Sequence, residues 1–207
     1  MHLMRLFAAV FLTLMLAFQA TADSATRRLN AFFSNVHALE GEFEQTLFDE
    51  NRRKLEESRG TMYLARPGHF RWDYSEPYQQ IIVANGNRVW IYDSELAQVT
   101  VRTLDDSAGN TPALLLSSDR PLEDNFNVTN LGEEGGLDWV ELMPKAQETN
   151  FSSVRLGFGP SDLEVMELND NFGQTTQLRF FGVTTNPELD PSLFSFSPPD
   201  GVDVIGE

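Results

Sequence analysis

The period of the apolar positions changes shortly before Leu39, which separates a predicted helix from a predicted strand. Leu29, Phe32, Phe33 and Val36 recur at helical spacing and form a single apolar stripe. From Leu39 onward, apolar and polar residues alternate with period two, as they do in a strand that has one face in water. We therefore expect an N-terminal helix that lies across an apolar surface, followed by a half-exposed strand.

An aromatic stretch in residues 66–74 is central to the predicted sheet. Phe70, Trp72 and Tyr74 alternate with charged residues, so the three rings share one face of a strand. Such a face either covers an ordinary core or lines a hollow apolar cavity. The strand alone does not distinguish these two interpretations.

The rest of the chain is mostly a series of short strands separated by turn residues. Asn85-Gly86 between two β-rich runs predicts a hairpin. With about ten or eleven strands and little helix, the pattern predicts a mainly β fold, either a large, strongly curved antiparallel sheet or an incompletely closed barrel. Residues 120–130 are polar, and we expect irregular structure there with at most a further short helix.

A short apolar helix interrupts the predicted strands. Thr111 fits the N-cap and Pro112 fits the first helical position, and three consecutive leucines follow from Leu114. This helix is too apolar for a surface connector. It is therefore either a helix packed into the core or a lid over a cavity.

The N-terminus has the pattern of a secretory signal peptide. Basic Arg5 precedes an apolar run over residues 6–18, and Ala20-Thr21-Ala22 supplies a small-x-small cleavage site. The apolar run is shorter than the roughly 20 residues that span a bilayer. We expect a signal peptide over residues 1–22, cleaved after Ala22, and a single exported domain over residues 23–207.

Composition argues against several classes of function. The formal net charge is −16, and such an acidic chain repels nucleic acid and anionic lipid headgroups. There is no cysteine, and His37 and His69 form no metal motif. No nucleophile elbow or phosphate-binding loop is present, so we expect no catalytic site, no metal and no other cofactor. A secreted hydrolase that uses paired carboxylates stays open as an alternative.

A series of short motifs follows the chain in a fixed order. They are Phe43-x-Gln45, Gly60, Arg66-Pro67-x-x-Phe70-x-Trp72, Ile82-Val83-x-x-Gly86, Val89-Trp90-x-Tyr92, Gln98, Gly109-Asn110-Thr111-Pro112, Leu142-x-Pro144-Lys145 and Phe194-x-Phe196-x-Pro198-Pro199-x-Gly201-Val202. Together with the N-terminal helix, their order and spacing resemble the periplasmic outer-membrane lipoprotein carrier family, LolA. Residues 120–138 and 182–191 carry little of this resemblance.

The resemblance implies an unclosed antiparallel β-barrel with an N-terminal helix and a helical lid. It implies a periplasmic, monomeric chaperone that accepts triacylated lipoproteins from an inner-membrane ABC transporter, the LolCDE complex. The chaperone would then deliver this cargo to LolB, a receptor lipoprotein of the outer membrane. LolB shares the fold, but this chain has no cysteine to acylate, which favours the carrier. The alternative is a sensor or scaffold on the same fold that binds a lipid or lipoprotein without transporting it.

The resemblance also implies roles for individual residues. Arg66 matches the family's lid-latching arginine, which hydrogen-bonds the lid backbone when the cavity is empty. Phe70 matches a position tied to one-way transfer. For the lining of an acyl-chain cavity we select Phe43, Phe70, Trp72, Trp90, Leu114 and Leu115, with plain core packing as the alternative. The placement of Trp90 depends on the register across the Asn85-Gly86 hairpin.

Overall fold

The fold is described from a computed structural model over residues 24–104, 112–147, 149–160 and 162–206. The expected signal peptide and the expected N-cap at Thr111 lie outside these residues. Three α-helices are present in the described ranges: α1 (Ser24–Asn35), α2 (Pro112–Ser117) and α3 (Leu122–Asn125). Of these helices, none is long and apolar enough to cross a bilayer.

Twelve strands and one short 3-10 helix, Pro191–Phe194, complete the described elements. The strands are β1 (Ala38–Phe48), β2 (Lys54–Ala65), β3 (His69–Glu76), β4 (Gln80–Asn85), β5 (Arg88–Asp93), β6 (Gln98–Thr103), β7 (Phe126–Glu134), β8 (Leu137–Pro144), β9 (Phe151–Phe158), β10 (Leu163–Asp170), β11 (Thr175–Thr185) and β12 (Asp203–Gly206). The expectation of a mainly β fold is confirmed.

All twelve strands belong to a single sheet in the order β12-β6-β5-β4-β3-β2-β1-β11-β10-β9-β8-β7. Neighbouring strands are antiparallel except for the parallel pair of β12 and β6. Because β12 and β7 are the two ends of this order and do not pair, the sheet is not closed over the described residues. The expected unclosed antiparallel barrel is thus confirmed.

One face of the sheet, which we call the inner face, carries the main core. Phe43, Met62, Leu64 and Trp72 point to it, and α1 adds Leu29 to the same buried cluster. Phe32 also belongs to that cluster, so the apolar stripe predicted for the N-terminal helix is confirmed. The inner face is therefore covered by helices rather than by a second sheet.

The opposite, outer face of β3–β6 is covered by the C-terminal segment. Phe196 lies against Trp90 and Tyr92, with ring centroids 6.5 and 5.8 Å apart. Phe194 is buried and meets the His69 ring edge-on at 5.6 Å. Strand β5 is consequently apolar on both faces.

Two strands were not expected from the sequence. Residues 120–130 were expected to be irregular, but β7 begins at Phe126 and pairs along β8. As the edge strand, β7 leaves its outward side chains in water, which makes its sequence look polar. β12 is four exposed residues long, and its conformation depends on pairing with the distant β6.

Candidate functional site

The side chain of Arg66 joins the two helices that cover the inner face. It follows β2 directly, and its Nε donates to the carbonyl of Leu116 in α2 at 2.8 Å. Its Nη1 reaches the carbonyls of Val36, Phe33 and Phe32, at 2.6, 3.0 and 3.3 Å, where α1 ends. One guanidinium therefore ties α1 and α2 to the same point of the sheet.

The surroundings of this guanidinium favour a fixed position for it. Its carbon lies 4.5 Å from the ring centroid of Phe33 and 5.1 Å from that of Phe32, within cation–π range. It also faces the C-terminus of α1, where the helix dipole favours a cation. Burial lowers the pKa of Arg66 to about 10, so the side chain stays charged at neutral pH.

A backbone contact from the same turn holds α2 a second time. The N–H of Gly68 donates to the carbonyl of Ser117 at 2.9 Å. Gly68 has φ of 69°, and an added Cβ would lie 3.1 Å from a methyl of Leu104 and 3.2 Å from Gly86. The turn after β2 thus binds the last carbonyls of α2 through both a side chain and the backbone.

The aromatic residues of β1 and β3 form a packed cluster below the helices. The ring centroids of Phe43 and Trp72 are 5.6 Å apart, and those of Phe70 and Trp72 are 6.4 Å apart. Phe43, Phe70 and Trp72 are each at most 3% exposed. Tyr74 extends the cluster at 5.0 Å from Phe43 and donates its hydroxyl to Gln45. Burial raises the pKa of the Tyr74 phenol, which therefore stays neutral.

An open cavity of about 370 Å³ lies between α2–α3 and strands β7–β10. Leu114 and Leu115 of α2 form part of the cavity wall. The sheet side is formed by Phe126, Phe151 and Leu168. Arg120, Asp124, Asn125, Lys145 and Thr149 contribute the polar part of the lining.

Of the six residues selected for an apolar lining, Leu114 and Leu115 line this cavity, and Phe43, Phe70 and Trp72 do not. Phe43, Phe70 and Trp72 belong to the buried inner cluster, and Leu114 and Leu115 pack against it. Trp90 does not share this surface. Its strand neighbours Val89 and Ile91 point inward, so Trp90 points to the outer face and contacts Phe196. Placing Trp90 in the cavity was therefore wrong.

Several lining residues were missed by sequence reasoning. Phe126, Phe151 and Val154 line the cavity, and Leu122 of α3 closes one side of it. Phe126 and Val128 alternate with polar residues, a strand signal masked by the polarity of their neighbours. The contacts of Arg66 with α1 join residues more than 29 positions apart and leave no local signal in the sequence.

The chemistry available to this site is the burial of apolar surface beneath a short helix. The cavity volume lies at the lower end of the range for small-ligand sites, roughly 300–1,000 Å³. Several long hydrocarbon chains need more space than this cavity offers. The site is thus suited to a flexible apolar ligand.

Known proteins resemble the chain along most of its length. A family described as "Outer membrane lipoprotein carrier protein LolA" matches residues 34–197. A protein of Nitrosospira multiformis named "Outer-membrane lipoprotein carrier protein" is 46% identical over 199 residues and covers 96% of both chains. One of Methylococcus capsulatus with the same name is 48% identical over 178 residues and covers 86% of both.

The fold also resembles a solved structure. The crystal structure of an uncharacterized conserved protein from Thermus thermophilus superimposes with a TM-score of 0.56 at 13% identity. The match covers 89% of this chain and 98% of that one. At this identity, the similarity concerns the fold alone.

Proposed function

The chain belongs to the LolA family of outer membrane lipoprotein carrier proteins, and from this membership we propose that it is a lipoprotein chaperone of the periplasm. It binds the acyl chains of lipoproteins released from the inner membrane and delivers the cargo to a receptor at the outer membrane. It is a carrier and not an enzyme. We extend the proposal to triacylated cargo, to LolCDE as the source and to LolB as the receptor. Export by a signal peptide over residues 1–22 and a single carrier domain over residues 23–207 belong to the same proposal.

The observation that carries this proposal is the helix α2, held over an apolar cavity by Arg66 and Gly68. Leu114 and Leu115 of this helix face the cavity, while its carbonyls are held by the turn after β2. We assign the role of lid to α2 and the role of latch to Arg66. Phe43, Phe70, Trp72, Leu114 and Leu115 are the proposed lining once the lid has moved.

A lid that competes with the ligand would lower an affinity for acyl chains that is otherwise too high for release. Each buried methylene contributes about 0.8 kcal/mol, so a chain of about 15 methylenes gains about 12 kcal/mol. Binding of that strength would not allow ready release to a receptor. Because apparent affinity falls with the fraction of protein that is open, the closed contacts of α2 lower it to a reversible range.

The sensor or scaffold alternative is less well supported. The names of the relatives state a carrier function, and the chain covers nearly their whole length. A sensor on this fold would bind its lipid or lipoprotein signal without releasing it to a second protein. The same soluble complex assay therefore separates the two when a receptor is added.

Native mass spectrometry of the mature protein co-expressed with a model lipoprotein tests the proposal. The matched control is the same cargo with its acylated cysteine replaced. We expect a 1:1 soluble complex that requires the acylated cargo and dissociates on addition of receptor. A folded protein that forms no complex with either cargo would contradict the carrier function.

A further inference from the structure

The edge strand β7 begins at the cavity and continues away from it. Phe126 is the first residue of β7 and also lines the cavity. In the described part of the chain, the sheet order ends at β7, with β8 on one side and no strand on the other. A polypeptide that leaves the cavity at this point would run beside a sheet edge.

The pairing with β8 shows which backbone groups point to that edge. The N–H of Lys145 donates to the carbonyl of Asn125 at 2.9 Å, so these two residues form a hydrogen-bonded pair. Bonded and non-bonded pairs alternate along an antiparallel ladder. Phe126 opposite Pro144 is therefore non-bonded, which agrees with the missing N–H of proline. By the same alternation, Phe126 and Val128 direct their backbone groups away from β8.

Three of these outward groups face the edge, where the described residues supply no partner strand. The N–H of Phe126 is already used, because it caps α3 at the carbonyl of Leu122. The carbonyl of Phe126, the N–H of Val128 and the carbonyl of Val128 are therefore the three groups that could pair with an added strand. The side chains of Phe126 and Val128 pack on the inner cluster, while Asn127 and Thr129 are exposed. Helix α1 packs on the inner face of β7 and β8, where its Arg28 pairs at 2.8 Å with Asp138, a residue on the same face of β8 as the inward Val140.

The first part of this edge lacks the features that usually prevent strand addition. Proteins protect edges with lysine, proline, inward charges or bulges. In β7 the protection starts only at the bulge between Asn130 and Gly132 and continues with Glu133 and Glu134. Residues 126–129 carry neither proline nor charge. The segment nearest the cavity is therefore the one open to pairing.

We propose, on the basis of the carrier function above, that the peptide following the acylated cysteine of the cargo adds to the edge of β7 at Val128 as a short strand. The acylated cysteine is the first residue of a mature lipoprotein, so its peptide must leave the cavity where the acyl chains enter. Backbone pairing gives affinity without reading side chains. Such a mode accepts cargo of any sequence and fixes the direction in which the cargo leaves the carrier.

Two synthetic probes test the proposal. One is a triacylated cysteine followed by a short peptide, and the other is the same triacylated cysteine amide without a peptide. We expect the wild type to bind the peptide probe at least about fivefold more tightly, which corresponds to about one net hydrogen bond. Amide hydrogen exchange at Val128 should slow with the peptide probe and not with the other probe.

Paired substitutions isolate the backbone group. Val128→Pro removes the outward N–H without removing a bond to β8, and Val128→Ala shortens the side chain but keeps the N–H. The ratio of the two affinities should persist in Val128→Ala and fall to about one in Val128→Pro. If Val128→Pro does not fold, hydrogen exchange at the Val128 amide of the wild type still tests whether the peptide pairs with β7.

The outcomes separate this inference from the carrier function. Equal affinity of the wild type for both probes, with no protection of the Val128 amide, would overturn the edge proposal and leave the carrier function intact. Failure of the folded wild type to bind either probe would overturn both. A ratio that survives in Val128→Pro would also overturn the edge proposal, because the gain would then come from other contacts.

Discussion

Replacement of Arg66 by leucine should hold the carrier in its open state. Arg66→Leu removes the 2.8 Å bond to the carbonyl of Leu116 and the contacts with the end of α1. Leucine keeps an apolar side chain against Phe32 and Phe33, so the core beneath it stays filled. The bond from Gly68 to Ser117 still ties α2 to this turn in the variant.

The bond to Leu116 sets the size of the effect. A hydrogen bond from a charged donor contributes about 1.5–3 kcal/mol, and in the proposed mechanism this bond exists only when α2 is closed. Its loss shifts the equilibrium toward the open state by about 10- to 150-fold. The affinity for acyl chains should rise by up to the same factor, and release to the receptor should slow correspondingly.

Transfer of a fluorescently labelled lipoprotein from the carrier to its receptor measures this effect directly. Arg66→Leu should form the cargo complex and fail in transfer. Arg66→Lys should be intermediate, because one ammonium cannot reproduce the planar fork that joins α1 and α2.

Arg71→Leu is the matched control for loss of an arginine. Arg71 lies on the outer face of β3, where it pairs with Asp73 at 2.7 Å and reaches the carbonyl of Leu193 at 3.4 Å. Its loss removes an ion pair and a backbone contact without touching α2, so transfer should be unchanged. Normal transfer by Arg66→Leu, or an equal defect in Arg71→Leu, would refute the latch.

Three further predictions test the placement of individual residues. Brominated acyl chains should quench the tryptophan fluorescence of a variant that retains only Trp72. They should not quench that of a variant that retains only Trp90, because the two rings lie on opposite faces of the sheet. Gly60→Ala should destabilise the fold by about 3 kcal/mol in urea denaturation, the upper end for overpacking, because an added Cβ would clash with the backbone oxygen of Asp73 in β3. Gly136→Ala, with nothing within 4 Å, should cost only the roughly 1 kcal/mol of its positive φ. Asn186→Ala should lower stability by about 2 kcal/mol, seen as a lower Tm, since its amide accepts from two backbone N–H groups at the start of β1 and donates to the last carbonyl of α1.

The predictable parts of the fold are those specified by local pattern. The hairpin at Asn85-Gly86 and the aromatic strand with Phe70 and Trp72 follow from turn chemistry and period-two alternation. The helical stripe of α1 is equally local. In each case the residues that decide the structure lie within one element or one turn, so the sequence contains the whole signal.

Trp90 shows where local pattern fails. β5 is apolar on both faces, because the C-terminal segment covers its outer side as the helices cover its inner side. Alternation assigns a face only when one side is polar. The face of Trp90 is decided instead by the register that pairs Ile91 with Ile82, and no sequence pattern near Trp90 reports that pairing.

In the proposed mechanism, the contacts of Arg66 allow the affinity for cargo to change without any change in the cavity lining. The acyl ligand has no directional groups, so changes to Phe43 or Phe70 alter both the open-state affinity and the packing of the closed state. Arg66 and Gly68 bind carbonyls of α2, so in this mechanism they set the balance between the closed and open states. Affinity for the cargo can therefore be adjusted through polar contacts that never touch it, while the apolar surface stays suited to any acyl chain.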